Sequence, residues 1–178
     1  QVDAMKRLVN EFRDYARLPA AELKPLDLNA LIGDVLGLYG TEGAGVTEIV
    51  RELDPQCLPI QGDAQQLRQV VHNLLQNAQD ACEGQLRPKV SLSTQWVPET
   101  GRVRLVVRDN GPGFSQDMLS MITQPLQTGK ENGIGLGLAL AHLVVRQWQG
   151  QLTVRNLLDE EGGGACVTVS IPMTEVAS

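Results

Sequence analysis

The sequence has no excess of basic residues and no long apolar run. Its 178 residues include 15 Lys and Arg against 21 Asp and Glu, which gives a net charge of -6 at pH 7. Nucleic-acid-binding domains usually carry a basic stripe, and this sequence shows none. No apolar run approaches the roughly 20 residues that a membrane-spanning helix needs. The composition therefore argues against a nucleic-acid-binding protein and against a membrane-embedded one.

Cysteine and histidine are also scarce. The three cysteines, Cys57, Cys82 and Cys166, show no metal-ligand spacing, and their odd number predicts reduced thiols in a cytoplasmic compartment. The two histidines, His72 and His142, fall within predicted helices, and we interpret both as structural. No signal-peptide pattern is present. Because the sequence begins with glutamine and not methionine, we expect it to be part of a longer protein.

Two prolines divide the chain into a short N-terminal segment and a larger domain. In residues 1–18, apolar side chains recur at alternating spacings of three and four, which predicts a helix with a heptad seam: Val2, Met5, Val9, Phe12 and Ala16. Such a seam needs a partner helix from outside this chain or from a second copy, and folding back onto the following domain is the alternative. Residues 19–26, with Pro19 and Pro25, predict a linker. Residues 27–174 predict one domain.

Within the domain, the pattern predicts alternating helices and strands. Asp27 or Asn29 is predicted to cap a helix that extends to Tyr39. Asp63 and Gln66 form a capping-box pattern at the start of a second helix, which extends to about residue 82. Apolar runs and alternation predict strands over residues 46–53, 90–96, 102–109, 151–157 and 165–171.

The second predicted helix carries two asparagines, Asn73 and Asn77, four residues apart and therefore on one face. Asparagine is a poor helix former and is costly to bury unless its amide is used. The pair predicts two carboxamide oxygens that face a common target, such as a hydrated magnesium ion. Two solvated asparagines are the alternative.

Asp109 ends the predicted strand 102–109 and, counting by two, falls on its apolar face. A carboxylate at the rim of a core needs a hydrogen-bond donor, and the exocyclic amine of a purine would serve. The turn Asn110-Gly111-Pro112-Gly113 follows directly. An aspartate that simply opens this turn is therefore the alternative.

A glycine-rich stretch provides a candidate anion site. Three glycines alternate with apolar residues before a helix-like run that begins at Leu138: Gly133, Gly135 and Gly137. Glycine lets the backbone approach a ligand, and free N–H groups at the start of a helix favour an anion such as phosphate. The preceding residues 115–132 have the length and composition of an active-site lid, and Lys130 is the cation nearest to the glycines. A flexible turn is the alternative.

Together and in this order, these stretches resemble the ATP-binding domain of sensor histidine kinases, in the superfamily that includes gyrase, MutL and a heat-shock chaperone ATPase. Asn73-Leu74-Leu75-Gln76-Asn77-Ala78 is similar to the family's N box. Residues 109–113 and 133–138 are similar to the two glycine boxes, residues 125–130 to the lid motif and residues 162–164 to a degenerate third glycine box. Residues 10–17 resemble the second helix of a dimerisation hairpin, with wording nearest to nitrogen-regulation kinases of the NtrY and NtrB type.

The resemblance implies a Bergerat-type ATP-binding fold. This fold is a two-layer α/β sandwich whose mixed, mostly antiparallel sheet is covered by helices, here preceded by one hairpin helix. The resemblance also implies that the domain binds ATP with Mg²⁺. Asp109 would accept a hydrogen bond from the adenine amine, Asn77 would hold the metal with Asn73 in support, and Lys130 would meet the terminal phosphate. The remaining nucleotide contacts would come from Gly111, Gly113, Gly133, Gly135, Gly137 and Leu138.

Two positions depart from the family pattern, and a third distinguishes the chain from the ATP hydrolases of the superfamily. Asp80 stands where many members carry a lysine, and Leu126 replaces the aromatic residue of the lid. Asn73 stands where the ATP-hydrolysing members carry a glutamate that activates water, and an amide cannot act as a base. This difference favours phosphoryl transfer to histidine over hydrolysis. With Asp80 in place of the lysine, the contact of that lysine with the phosphates is lost and Lys130 must carry more. The candidate catalytic residues are therefore Asn73 and Lys130.

The function implied by the resemblance is that of a bacterial two-component sensor histidine kinase. Its catalytic domain would transfer the γ-phosphate of ATP to a histidine on a hairpin not included in this chain, and a response regulator would receive it. The full-length protein would be a homodimer with a cytoplasmic catalytic domain. It would be either an inner-membrane sensor or a soluble one. Two alternatives stay open. One is a degenerate nucleotide-sensing or phosphatase-regulating module, and the other is a serine kinase of the anti-sigma-factor type.

Overall fold

The computed structural model describes residues 22–37, 48–82, 86–116, 141, 144–158, 160 and 163–172. The predicted N-terminal helix, most of the predicted lid and the second glycine box lie outside the described residues. The described elements are two helices, α1 (Leu28–Leu36) and α2 (Ala64–Ala81), and seven strands: β1 (Lys24–Leu26), β2 (Glu48–Glu52), β3 (Ile60–Gly62), β4 (Lys89–Val97), β5 (Arg102–Asp109), β6 (Gln151–Asn156) and β7 (Ala165–Pro172). Residues 144–147 are also helical.

Five strands form one mixed sheet in the order β2-β4-β5-β7-β6. β2 is parallel to β4, whereas the other three neighbouring pairs are antiparallel. β1 and β3 form a separate antiparallel pair. The predicted sandwich with a mixed, mostly antiparallel sheet is therefore confirmed.

The core lies between one face of the sheet and the helices. Val90 of β4, Leu105 of β5 and Leu74 of α2 are almost completely buried in a single apolar cluster. The alternate residues of β5 face the other way, and Arg104 and Arg108 among them are exposed. Burying one such aliphatic side chain stabilises a fold by about 1.5–3 kcal/mol, so the alternation of β4 and β5 determines which face carries the helices.

Both described helices begin at an aspartate, as predicted. Asp27, and not Asn29, caps α1, and its Oδ1 accepts a hydrogen bond from the backbone N–H of Ala30 at 3.1 Å. α1 ends at Leu36 with Gly37 as its C-cap, earlier than the predicted end at Tyr39. Glycine at the C-terminal end favours termination because it has a low helix propensity.

Asp63 caps α2 and accepts hydrogen bonds from the backbone N–H groups of Gln65 at 2.9 Å and Gln66 at 3.1 Å. A cap of this kind is typically worth about 1 kcal/mol. The reciprocal half of the predicted capping box is absent, because Gln66 Oε1 is buried without a hydrogen-bond partner. No helix in the described part of the chain is long and apolar enough to cross a membrane.

The end of the predicted linker belongs to the domain. Residues 24–26 form β1 and pair with β3, so that Lys24 lies opposite Gly62. The backbone N–H of Glu22 also donates to Asp63 Oδ2 at 2.8 Å. Pro25 is tolerated in β1 because this strand lies at the edge of a two-stranded sheet. Its partner lies about 35 residues away in the chain, as the registered pairs show, so the local pattern could not reveal the pairing.

A closed polar network joins α1, β4 and the turn before β3. The Thr94 hydroxyl donates to Asn29 Oδ1 at 2.8 Å, Asn29 Nδ2 donates to the Asp54 carbonyl at 2.7 Å, and the Asp54 N–H donates to Thr94 Oγ1 at 2.9 Å. The Asp54 carboxylate accepts from the backbone N–H groups of Trp96 and Gln56, both at 2.9 Å. These two hydrogen bonds lower the pKa of Asp54, and the bond from Trp96 has the larger effect.

The lowered pKa of Asp54 predicts a pH-dependent contribution to stability. The ionised carboxylate stabilises the fold above the unfolded-state pKa of about 3.9, and this stabilisation is lost as the pH falls through the lower folded-state pKa. We therefore expect Asp54→Asn to lower the urea midpoint at pH 7 and to approach the wild-type midpoint as the pH falls below 4. The matched control is Glu99→Gln in an exposed turn. A difference between Asp54→Asn and wild type that is equal at pH 7 and pH 3 would contradict the assignment.

Candidate functional site

Asn73, Asn77 and Ala81 lie along one face of α2 at intervals of four residues, about 6 Å apart along the axis. Asn73 is completely buried, and its Oδ1 accepts a hydrogen bond from Gln69 Nε2 at 3.1 Å. Asn77 is half-buried, and its Nδ2 is buried without a hydrogen-bond partner. The two amides therefore differ. Gln69 already engages the oxygen of Asn73, whereas Asn77 has polar capacity that the described residues do not use.

Asp109 ends β5 and is 8% exposed. Its Oδ1 accepts hydrogen bonds from the backbone N–H groups of Gly111 at 2.9 Å and Ala165 at 3.2 Å. Burial raises the pKa of this carboxyl, and the two amides oppose that shift. In the described part of the chain, no hydrogen bond engages Oδ2. One carboxylate oxygen is thus fixed by the backbone, and the other is left for a ligand.

The loop after Asp109 touches the C-terminal end of α2. A Cβ on Gly111 would overlap the carbonyl oxygen of Ala81, so only glycine allows this approach. The same position on Gly111 lies near Asp109 Oδ1, so this carboxylate oxygen is close to the end of α2, and Asn77 lies one turn before Ala81. Asn73 lies one turn farther along the helix.

The Asn110 side chain holds the other side of this loop. Its Oδ1 accepts from the backbone N–H of Lys89 at 2.9 Å, and its Nδ2 donates to the Arg87 carbonyl at 2.7 Å. The Cys82 thiol donates to the same Oδ1 at 3.2 Å. Burial raises the pKa of Cys82, which keeps the thiol protonated as a donor. Cys57, Cys82 and Cys166 are all free thiols.

The start of β7 closely approaches the backbone of Asp109. Gly164 has φ +97°, and a Cβ there would overlap the Asp109 carbonyl oxygen. This contact brings the Ala165 N–H within reach of the carboxylate. The neighbouring Gly163 also has a positive φ of +71°, but a Cβ on it would meet nothing within 4 Å.

The loop after Asp109 therefore meets α2 at Ala81, one helical turn from Asn77. Asp80, where a lysine is usual in the family, accepts from Gln76 Nε2 at 3.3 Å through Oδ1. The following predicted site residues lie outside the described part of the chain: Lys130, Gly133, Gly135, Gly137 and Leu138.

Sequence reasoning missed two contributors. The bond from Ala165 comes from its backbone, so the side chain carries no signal. The sequence pattern identifies Asn110 only as a turn residue, and its three contacts depend on the distant chain near residue 87. For Ala165, the adjacent run of glycines at 162–164 was the only local hint of a close backbone approach.

Comparison with known proteins identifies the family of this chain. The family model of the histidine kinase-, DNA gyrase B- and HSP90-like ATPases matches residues 62–175. That range includes α2, the Asp109 loop and β7.

Two curated relatives and one solved structure cover nearly the whole chain. The signal transduction histidine-protein kinase AtoS of Escherichia coli (strain K12) is 30% identical over 174 residues, which are 97% of this chain and 28% of the relative. The sensory histidine kinase/phosphatase NtrB of Rhodobacter capsulatus is 30% identical over 184 residues, covering 97% of this chain and 51% of the relative. The crystal structure of full-length ShkA in complex with AMPPNP is 30% identical with a TM-score of 0.70, covering 99% of this chain and 37% of that one. The chain spans about half or less of the length of these proteins.

The close approach of β7 to Asp109 predicts different effects for two neighbouring substitutions. Gly164→Ala and Gly163→Ala both place a side chain at positive φ, but only the first also overlaps the Asp109 carbonyl. We expect Gly164→Ala to lower the free energy of unfolding by about 1–3 kcal/mol more than Gly163→Ala, as is typical of overpacking. Urea denaturation measures the difference, and equal losses would show that the contact is not tight.

Proposed function

This chain belongs to the histidine kinase-, DNA gyrase B- and HSP90-like ATPase family, and we propose that it is the ATP-binding catalytic domain of a bacterial two-component sensor histidine kinase. The observation that carries the proposal is the Asp109 carboxylate, which has one oxygen fixed by two backbone amides and the other left for a ligand. The two relatives described above are named as histidine kinases, which supports this class of function.

Asp109 is proposed to recognise adenine. Oδ2 would accept a hydrogen bond from the exocyclic amine, and a hydrogen bond to a charged group contributes about 1.5–3 kcal/mol. Because both amides act on Oδ1, the direction of Oδ2 is set before the base arrives. The AMPPNP bound by ShkA is an adenine nucleotide and supports this choice of ligand.

Asn77 is proposed as the protein ligand of magnesium. Its buried amide nitrogen has no partner, and a flip of the amide would place Oδ1 at that point, where a hard cation prefers oxygen. Among the described residues, no group of three or more His, Cys, Asp or Glu side chains could hold a metal. The remaining ligands would therefore be phosphate oxygens and water, which is common for magnesium bound with a nucleotide. When bound, the ion would neutralise charge on the phosphates.

The phosphates are proposed to lie against the second glycine box, with Lys130 at the terminal phosphate. The contacts assigned there are the backbone of Gly133, Gly135 and Gly137 and the start of the helix at Leu138, where free N–H groups favour an anion. Gly111 and Gly113 would let the first glycine loop approach the nucleotide. These contacts are carried over from the sequence motifs.

The proposed reaction is transfer of the γ-phosphoryl group to a histidine nitrogen on a separate hairpin. The nitrogen would form a bond to the γ-phosphorus as the bond to the bridging oxygen breaks and ADP leaves. Asn73 cannot remove a proton from water, and its oxygen is engaged by Gln69. A response regulator would then receive the phosphoryl group, and the full-length protein would be a homodimer.

Asp80 supports one alternative, a nucleotide-sensing module without transfer. This carboxylate lies on α2 three residues after Asn77, so the two side chains share a helix face. A negative charge there would weaken the attraction between the site and a triphosphate. A module of this kind would bind nucleotide but would not phosphorylate a hairpin.

Replacing Asp109 tests the nucleotide site. In Asp109→Asn, Oδ1 can still accept the two backbone amides, so the other amide atom becomes an N–H group that faces the adenine amine. We expect affinity for Mg·ATP to fall about tenfold or more, as for the loss of a charged hydrogen bond. Because burial raises the pKa of Asp109, ionisation of this carboxyl is less favourable in the folded than in the unfolded chain, so the neutral variant should be at least as stable as wild type without nucleotide.

Calorimetry and urea denaturation measure these two effects. Asp34→Asn serves as the control, because Asp34 is an exposed aspartate of α1 with only a surface ion pair to Arg68. Unchanged ATP affinity in Asp109→Asn would contradict the proposed adenine contact.

A reconstituted transfer assay separates the kinase from the nucleotide-sensing module. We expect the chain to label the phosphoacceptor hairpin of its parent protein when the two are mixed with γ-labelled ATP, and not to label itself. The bond formed on histidine should be acid-labile. ATP binding without labelling of the hairpin would favour the sensing module, and label on His72 or His142 would show that these histidines were misinterpreted. Asp109→Asn should reduce labelling in proportion to its loss of affinity.

A further inference from the structure

A side chain outside the family motifs closes the loop that presents Asp109. Asn156 is the last residue of β6, at the edge of the sheet. Its Oδ1 accepts from the backbone N–H of Phe114 at 2.7 Å, and its Nδ2 donates to the carbonyl of the same residue at 2.8 Å. A residue in an antiparallel strand exchanges the same two bonds with its neighbour. The Asn156 amide thus substitutes for a strand partner that the loop lacks.

These bonds complete a ring around the carboxylate of Asp109. Asn156 pairs with Ala165 in the β6–β7 ladder, and the N–H of Ala165 donates to Asp109 Oδ1. From Asp109 the chain runs through the glycine loop to Phe114, which returns to Asn156. The bond from Gly111 to Oδ1 lies inside the same ring.

The ring is tightly closed on the side of Asn156. Gly113 has φ +84°, and a Cβ there would lie 2.8 Å from Asn156 Oδ1. Both the left-handed backbone and the missing side chain are therefore needed for Phe114 to reach the amide. Gly113 of the loop and Asn156 of β6 are far apart in the chain but pack closely against each other.

We propose that Asn156 is a positioning residue for base recognition: by closing this ring it holds Asp109 with Oδ2 directed at the nucleotide. The inference rests on the proposed function, in which Asp109 accepts the adenine amine. Without the bonds from Asn156, the end of the loop at Gly113 and Phe114 would have to be ordered when the nucleotide binds, and that ordering would weaken binding. The carboxylate would also discriminate less well between an amine and a carbonyl on the base.

The surroundings of Asn156 separate positioning from simple stabilisation. The bonds between Asn156 and Phe114 are exposed to solvent, so water can replace them and the global fold should lose little stability. Water cannot replace these bonds in orienting Asp109, because water does not fix the loop relative to β6.

Two variants and a matched control test the proposal. Asn156→Ala removes both bonds, whereas Asn156→Asp keeps the acceptor for the Phe114 N–H and repels its carbonyl. Thr153→Ala changes an exposed side chain on the same strand. Calorimetry with Mg·ATP and Mg·ITP, in which a carbonyl replaces the adenine amine, gives affinity and selectivity. Thermal unfolding and hydrogen exchange of the Gly111 and Ala165 amides are measured without nucleotide.

We expect Asn156→Ala to bind ATP about tenfold more weakly, the equivalent of ordering one further backbone residue. Its preference for ATP over ITP should shrink several-fold, a change that general destabilisation would not cause. Asn156→Asp should fall between it and wild type, and Thr153→Ala should match wild type. In Asn156→Ala the Gly111 and Ala165 amides should exchange faster at nearly unchanged melting temperature.

The outcomes distinguish this inference from the function on which it rests. If wild type binds ATP and Asn156→Ala keeps its affinity and its selectivity over ITP, the positioning role is wrong and the proposed function stands. If wild type binds no ATP, both are overturned. Equal loss of affinity for ATP and ITP together with a large fall in melting temperature would show that Asn156 is only structural.

Discussion

A carboxylate at the rim of the core is the constraint around which this domain is arranged. The alternation of β5 places Asp109 on the buried face, where a charge without partners is costly. Two backbone N–H groups meet that cost on one oxygen, and both can do so only because Gly111 and Gly164 allow the backbone to come close. The raised pKa shows that the compensation is incomplete. A hydrogen-bond donor on a ligand would further stabilise the ionised Asp109 carboxylate. The buried carboxylate that is costly in the free domain is therefore suited to bind such a donor.

Around this carboxylate, asparagine side chains form the hydrogen bonds that backbone partners would otherwise form. The loop after β5 leaves the sheet, so its N–H and C=O groups have no ladder to join and take side chains or water as partners. Asn110 bonds to the chain on one side at Lys89 and Arg87, and Asn156 bonds to Phe114 on the other. An amide carries both a donor and an acceptor, so each side chain can act as a strand residue. The loop is thereby fixed without regular secondary structure.

The chemistry of α2 agrees with the proposed phosphoryl transfer better than with hydrolysis. The proposed site positions on this helix carry amides, and neither Asn73 nor Asn77 can act as a base at neutral pH. Their environments differ: Asn73 is completely buried and bonded to Gln69, whereas the buried amide nitrogen of Asn77 has no hydrogen-bond partner. A helix fixed at its N-terminal end by Asp63, which also holds Glu22, presents these amides on a rigid support.

Local sequence pattern was sufficient for much of this domain. It predicted β4, β5 and α2, the aspartate caps and the burial of Asp109, because each depends on residues close in the chain. The family and the mixed sheet were implied by the resemblance of the ordered motifs. The tertiary structure alone decided that residues 24–26 join β3, that Gln69 takes the oxygen of Asn73, and that Ala165 and Asn156 hold the Asp109 loop. Those outcomes depend on backbone groups, on which rotamer an amide adopts, and on segments more than 30 residues apart. Backbone donors and long-range neighbours leave no mark on local sequence pattern, so only the folded chain could reveal them.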